Sequence, residues 1–191
     1  MYAKKLDDEN EINHVFHSHW TRVATVSYEA TAHLPWNTFV KLASLCSIKR
    51  SGTLIERRLI DYNKWMKVRG RAHYGDATND QMKKIEIKSS FLTPLGNGLP
   101  TFRGVRVWDQ VDFYYFIAID ITDTTRDPQT TIFMLTKDQL LEEIRVYKTL
   151  RRYNKKQQDV AQNERSELGT AFTKSEYERW KLMYRTSVKT E

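Results

Sequence analysis

The run Phe113-Tyr114-Tyr115-Phe116-Ile117-Ala118-Ile119-Asp120-Ile121 is apolar almost throughout, and it constrains the fold more than any other segment. A strand with one solvated face alternates, whereas a strand with no polar face must be covered on both sides. With Asp112 and Asp120 inside the stretch Val111 to Ile121, the run is also far too short to span a bilayer. It predicts a central strand in a sheet that carries helices on both faces.

The flanking segments agree. Pro35 to Cys46 carries apolar residues at Trp36, Phe39, Val40, Leu42 and Ala43, a helical spacing. Gly52 and Thr53 precede a second helix, Leu54 to Ile60, with an apolar face and a basic one. Trp65 to Ala72 alternates apolar and basic residues and predicts a strand. The turn-type pairs Gly75-Asp76 and Asn79-Asp80 then lead to a second alternating strand, Met82 to Ser90. Thr93 to Pro100 is a Gly/Pro-rich loop, Val105 to Val111 is expected to be helical, and 122–130 is a polar loop. Thr131 to Leu135 predicts a strand. Thr136 with Gln139 forms a capping box that opens a helix with Leu140, Leu141, Ile144 and Tyr147 on its apolar side. Residues 150–191 are polar and read as helix with a loop between. The expectation is an α/β fold: a central mixed β-sheet flanked by helices, with a helical C-terminal extension. Residues 1–48 form an N-terminal helical region, 49–148 the core and 149–191 the extension, in a single domain overall.

A formal charge of +7 over 191 residues favours a polyanionic partner, of which nucleic acid is the commonest; a basic surface kept for solubility is the other reading. Cys46 is the single cysteine, which excludes an internal disulfide and a thiolate zinc cluster. The N-terminal MYAKKLDDENE has acids where a signal peptide needs an apolar segment, so a cytoplasmic location with no membrane partner is expected. His14, His17 and His19 lie close together but are loosely spaced and lack cysteine partners, so they are not assigned to zinc. His33 and His73 read as ordinary surface or core residues. Neither a P-loop nor a G-x-G-x-x-G is present, which argues against an ATP-driven function.

Chemistry concentrates at Gly75-Asp76 and Ile85-Glu86-Ile87-Lys88. Alternate side chains of a strand share a face, so Glu86 and Lys88 point one way while Ile85 and Ile87 enter the core. Asp76 precedes this strand across a short connection and can end beside Glu86. Two adjacent carboxylates repel, and a divalent cation with oxygen ligands, Mg2+ or else Mn2+, relieves the repulsion. A lysine one pleat away can position or help deprotonate an attacking water, or stabilise charge on a phosphorane-like transition state. The bland alternative is a solvated strand edge with charges alternating outward.

These two motifs resemble those of the PD-(D/E)XK, restriction-endonuclease-like nucleases, with Gly75 where the family's name puts proline. The resemblance covers about residues 50–145. It implies that Asp76, Glu86 and the main-chain carbonyl of Ile87 ligate the metal and that Lys88 is the motif lysine. Glu56, on the preceding helix, is similar to the acid that often completes such sites. Asp80 is a rival for the role of Asp76, with a tighter connection to Glu86. Gln110 and Tyr114 fit the Q-x-x-x-Y pattern of exonuclease-like members, although Tyr114 also suits the core.

The implied activity is magnesium-dependent hydrolysis of double-stranded DNA, with a type II-like restriction endonuclease acting as a homodimer the favoured member. A repair, recombination or phage-processing nuclease and a non-catalytic basic nucleic-acid-binding module are the rivals. Candidate DNA contacts are Arg50, Arg57, Arg103, Arg106, Gln110, Arg151 and Arg152. Lys49 and Arg58 extend the first basic stretch. Lys148, Lys155 and Lys156 extend the second, with Tyr147 and Tyr153 interleaved. Tyr177, Trp180, Met183 and Tyr184 have helical spacing and suit packing or a dimer contact rather than base stacking.

Overall fold

The computed structural model describes residues 8–18, 26–68, 75–152, 167–170 and 172–187. His19, His73, Tyr153, Lys155 and Lys156 lie outside them, as do residues 69–72 of the strand expected from Trp65.

The N-terminal third is helical: α1 (Glu9–Ser18), α2 (Tyr28–Thr31), α3 (Trp36–Ser44) and α4 (Ile48–Tyr62). Helix α3 falls where its apolar spacing predicts. Helix α4 begins before Gly52 rather than after it, because Ser47 supplies the N-cap by accepting from the Arg50 N–H. A glycine inside a helix costs roughly 1 kcal/mol. The buried stripe Leu54, Ile55, Leu59 and Ile60 offsets that cost.

Eight strands and two more helices follow among the described residues: β1 (Met66–Lys67), β2 (Ala77–Thr78), β3 (Lys84–Leu92), β4 (Phe113–Asp120), β5 (Gln129–Thr136), α5 (Lys137–Arg145), β6 (Leu150–Arg152), β7 (Leu168–Thr170), α6 (Lys174–Met183) and β8 (Arg185–Thr186). Six strands form one sheet in the order β1-β2-β3-β4-β5-β8, while β6 and β7 pair separately. Within the large sheet β3 and β4 run parallel, from Ile85↔Phe113 to Leu92↔Asp120, and the other pairings are antiparallel. The chain is therefore α/β with a mixed sheet.

Alternation along β3 and β4 builds the two cores. Ile85, Ile87, Ile117 and Ile119 face α1 to α4 and join Ile12, Phe16, Phe39, Leu42 and Leu59. Tyr114, Phe116 and Ala118 face the opposite way and join Leu140, Ile144, Tyr177 and Trp180 from α5 and α6. The near-continuous apolar run of β4 is thus covered on both sides. The Thr136–Gln139 capping box opens α5 as its sequence predicts.

Two expectations are corrected. Val105 to Val111 is not a helix: Val105 bridges to Leu168, the chain then turns at 109–110 with the Val111 N–H donating to the Trp108 carbonyl, and Val105, Val107 and Val111 are buried. The stretch after 149 is not a purely helical extension. It supplies β6, β7 and β8, and β8 completes the main sheet against Ile132 and Phe133. Aromatic burial drives this despite the polar composition. Trp180 is fully buried, with ring contacts to Phe116, Phe133, Phe172 and Tyr184. Buried Glu143 of α5 also accepts both Arg179 nitrogens at 2.6 Å and the Tyr184 hydroxyl at 2.8 Å. Met183, by contrast, is exposed.

Candidate active site

The site forms where the sheet forks. β2 pairs with β3 only at Ala77↔Ile85 and Thr78↔Lys84. Beyond that pairing, the Asp76 N–H still donates to the Ile85 carbonyl at 2.7 Å. One step further along β3 a side chain replaces the main chain as partner: the Ile87 N–H donates to Asp76 Oδ2 at 2.7 Å. The N–H and C=O of one strand residue point to the same side, so the Ile87 carbonyl faces the open edge that Asp76 occupies.

Gly75 makes this turn possible. Its φ is +78°, and a Cβ there would lie 2.5 Å from the Ile85 oxygen. Proline is locked near −65° and cannot take this conformation. Glycine rather than proline at this position therefore follows from the local path of the chain.

Glu86 is only 6% exposed, opposite Tyr114 in β4. Lys88, one pleat on, donates its Nζ to Glu86 Oε1 and retains 22% side-chain exposure. Ile85 and Ile87 enter the core as the alternation requires. Glu56 comes from α4, and its Oε1 lies 3.7 Å from Lys67 Nζ of the edge strand β1.

The electrostatics join these groups into one cluster. Burial, reinforced by the charge of Asp76, pushes the Glu56 carboxyl up to about 7, while Lys67 and Lys88 pull it down. Burial also raises Asp76, opposed by Lys88, by the Ile87 N–H and by Lys67. Glu86 is raised by burial, with Lys88 opposing and Asp76 adding to the rise. Three partly desolvated carboxylates that disfavour one another's charge, with hard oxygen donors, fit a divalent cation of the magnesium type. The residues at the fork that could supply such oxygens are Asp76, Glu86 and the Ile87 carbonyl. Among the described residues no group of three or more His, Cys, Asp or Glu side chains is already arranged to hold a metal ion. Asp80, the rival to Asp76, sits in the exposed β2–β3 turn and makes none of these contacts.

The other predicted residues are dispersed. Arg50 donates its guanidinium to the Val26 carbonyl. Arg57 pairs with Glu29 at 2.7 Å and stacks over Tyr28. Arg58, expected on a basic face, is fully buried instead; it donates to the carbonyls of Ala32 and Leu34 and to the Tyr62 hydroxyl. Tyr114 is also fully buried and accepts from the Trp108 N–H at 2.9 Å, so it packs in the core. Its pattern partner Gln110 is exposed and accepts from Lys84 Nζ at 3.1 Å.

Arg106 lies nearer the site. Its charge reaches Glu86, and it pairs with Glu167 at 3.2 Å beside the Trp108 ring. Arg103 is exposed on the same segment, and Arg151 is exposed with its Nε donating to the Lys148 carbonyl. Arg152 lies in β6, and its side chain is outside the described residues. Lys67 is the site residue that sequence reading missed. Its signal was the apolar–basic alternation from Trp65, which placed it on a strand without saying which strand would be its neighbour.

No known family model matches the chain, and comparison with characterised proteins finds no significant match. No helix among the described residues is long and apolar enough to cross a membrane.

Proposed function

We propose that this chain is a metal-dependent endonuclease of the PD-(D/E)XK, restriction-endonuclease-like class that hydrolyses phosphodiester bonds in double-stranded DNA, in the manner of a type II-like restriction enzyme. The observation that carries the reading is the fork itself: Asp76 is hydrogen-bonded onto the strand that presents Glu86 and Lys88, with Glu56 in their electrostatic field.

Asp76, Glu86 and the Ile87 carbonyl would hold Mg2+ or Mn2+. The bound ion would polarise the phosphate and lower the pKa of an attacking water. Lys88 presents an ammonium beside Glu86, where it orients the water by hydrogen bonding and stabilises negative charge on the phosphate oxygens. Glu56, whose carboxyl is raised in the metal-free site by burial and by the charge of Asp76, could accept a proton from the water network. The net charge of +7 and the exposed Arg103 and Arg151 favour a DNA backbone partner. A two-fold homodimer would present one such fork to each strand of a duplex. The cytoplasm is the proposed location.

Digestion of a long plasmid with Mg2+ tests the reading. Discrete fragments are expected. A smear or trimming from ends would move the chain to a repair, recombination or phage-processing role, and DNA binding without cutting would leave a nucleic-acid-binding module.

A further inference from the structure

Lys67 stands at the rim of the site without a role in the reading above. It lies on β1, one of the two edge strands of the sheet. Its register partner is Ala77, the neighbour of Asp76, and the next residue, Val68, donates its N–H to the Asp76 carbonyl at 3.1 Å. Its ammonium lies 3.7 Å from Glu56 Oε1, and half of its side chain, 50%, is exposed.

A phosphodiester carries a negative charge and must approach three carboxylates. Lys88 already donates to buried Glu86 and has little exposure. Lys67 is the more solvent-accessible of these two lysines, so its ammonium is the easier of the two for an anion arriving from solvent to reach. An ion pair as long as Lys67–Glu56, at 3.7 Å with the lysine half exposed, contributes little stability. Exchanging the Glu56 oxygen for a phosphate oxygen therefore costs little.

We propose that Lys67 is a substrate-binding residue that leaves Glu56 to contact a DNA phosphate oxygen next to the scissile bond. The inference rests on the nuclease reading of the same site. Its plain rival is an edge-strand lysine that only blocks pairing with other chains.

The experiment has a binding arm and a cutting arm, on the full chain as wild type, Lys67→Ala and Lys67→Arg, with thermal melts to confirm folding. Binding to a labelled DNA duplex is followed in EDTA across a salt series, so that no cutting occurs. Plasmid cutting in Mg2+ is followed by initial rates.

Loss of one phosphate contact should lower the slope of log affinity against log salt by about one unit in Lys67→Ala. It should raise KM several-fold with kcat moving little. Lys67→Arg should restore both. An unchanged salt slope and KM in Lys67→Ala, with wild type binding and cutting, overturns the role of Lys67 and leaves the nuclease reading standing. If wild type binds without cutting, the hydrolytic reading falls, and the salt slope still decides the contact. If wild type cuts without measurable binding in EDTA, KM decides the contact, and if it neither binds nor cuts, both fall.

Discussion

The carboxylate of Asp76 accepts the main-chain N–H of Ile87 at 2.7 Å, so the first acid of the site is tied to the strand that carries the second acid and the lysine. Together with the Asp76 N–H donated to the Ile85 carbonyl, this bond holds the acid against β3. It also separates two functions of one side chain, because the hydrogen bond needs an acceptor oxygen while the proposed metal site needs a charge. Asp76→Asn keeps an oxygen for Ile87 and removes the charge. It should melt no lower than wild type, because burial disfavours the charge that it removes, while plasmid cutting falls on the order of 100-fold or more. Asp76→Ala loses both, and its melt should fall by about 1–2 kcal/mol in addition. A large loss of stability in Asp76→Asn would show that the carboxylate is structural.

Gly75 precedes that acid with φ +78° and its backbone against the Ile85 carbonyl. Gly75→Ala places a methyl group in that contact and a side chain in left-handed backbone. The expected cost is about 1–3 kcal/mol, read from a urea melt, together with loss of cutting as Asp76 shifts. A variant with wild-type stability and cutting would show that the turn tolerates another path.

Burial makes the site pH-sensitive in the metal-free protein. The Glu56 carboxyl rises from its ordinary 4.5 to about 7. Between those values the folded state binds more protons than the unfolded one. Its contribution to stability is therefore fully present below about 4.5 and is lost as pH rises through about 7. Asp76 and Glu86 are raised too and act in the same direction. In EDTA, Glu56→Gln should be the more stable protein at pH 8, on the order of 1–2 kcal/mol after solvent screening. It should match wild type near pH 5. Parallel stability–pH curves for the two proteins would contradict the raised carboxyl.

Arg58 is the counterexample to reading every arginine as a DNA contact. Its guanidinium satisfies the carbonyls of Ala32 and Leu34 and lies over the Tyr62 ring at 4.1 Å. Arg58→Met should cost roughly 3 kcal/mol in a urea melt, since two carbonyls lose their donor. The salt slope of DNA binding should not change. A stable variant with a lowered salt slope would place Arg58 at the DNA after all.

Local patterns made much of the fold legible. The period-two alternation of Ile85-Glu86-Ile87-Lys88 put two side chains on each face, and the unbroken run of β4 required two cores. The misreadings arose where the partner is distant in sequence. Val105 and Val107 alternate like a strand, but their segment is held by Leu168, which no local pattern announces. β8 is short and polar, and it is a strand because Ile132 and Phe133 offer an edge. Arg58 follows Leu54 by one helical turn and so lies on the buried stripe, a signal that its charge concealed. Within the site, Asp76, Glu86 and Lys88 were readable from spacing. Lys67 was not, because its position depends on β1 folding back against β2.

Metal-dependent hydrolysis at Asp76, Glu86 and Lys88 is tested by cutting of supercoiled plasmid with purified wild type and Lys88→Ala, each in Mg2+ and in EDTA. Wild type should cut only with Mg2+, and Lys88→Ala should lose cutting on the order of 100-fold or more, with both proteins folded. Equal cutting by the two proteins, or cutting by wild type in EDTA, would contradict hydrolysis at this site.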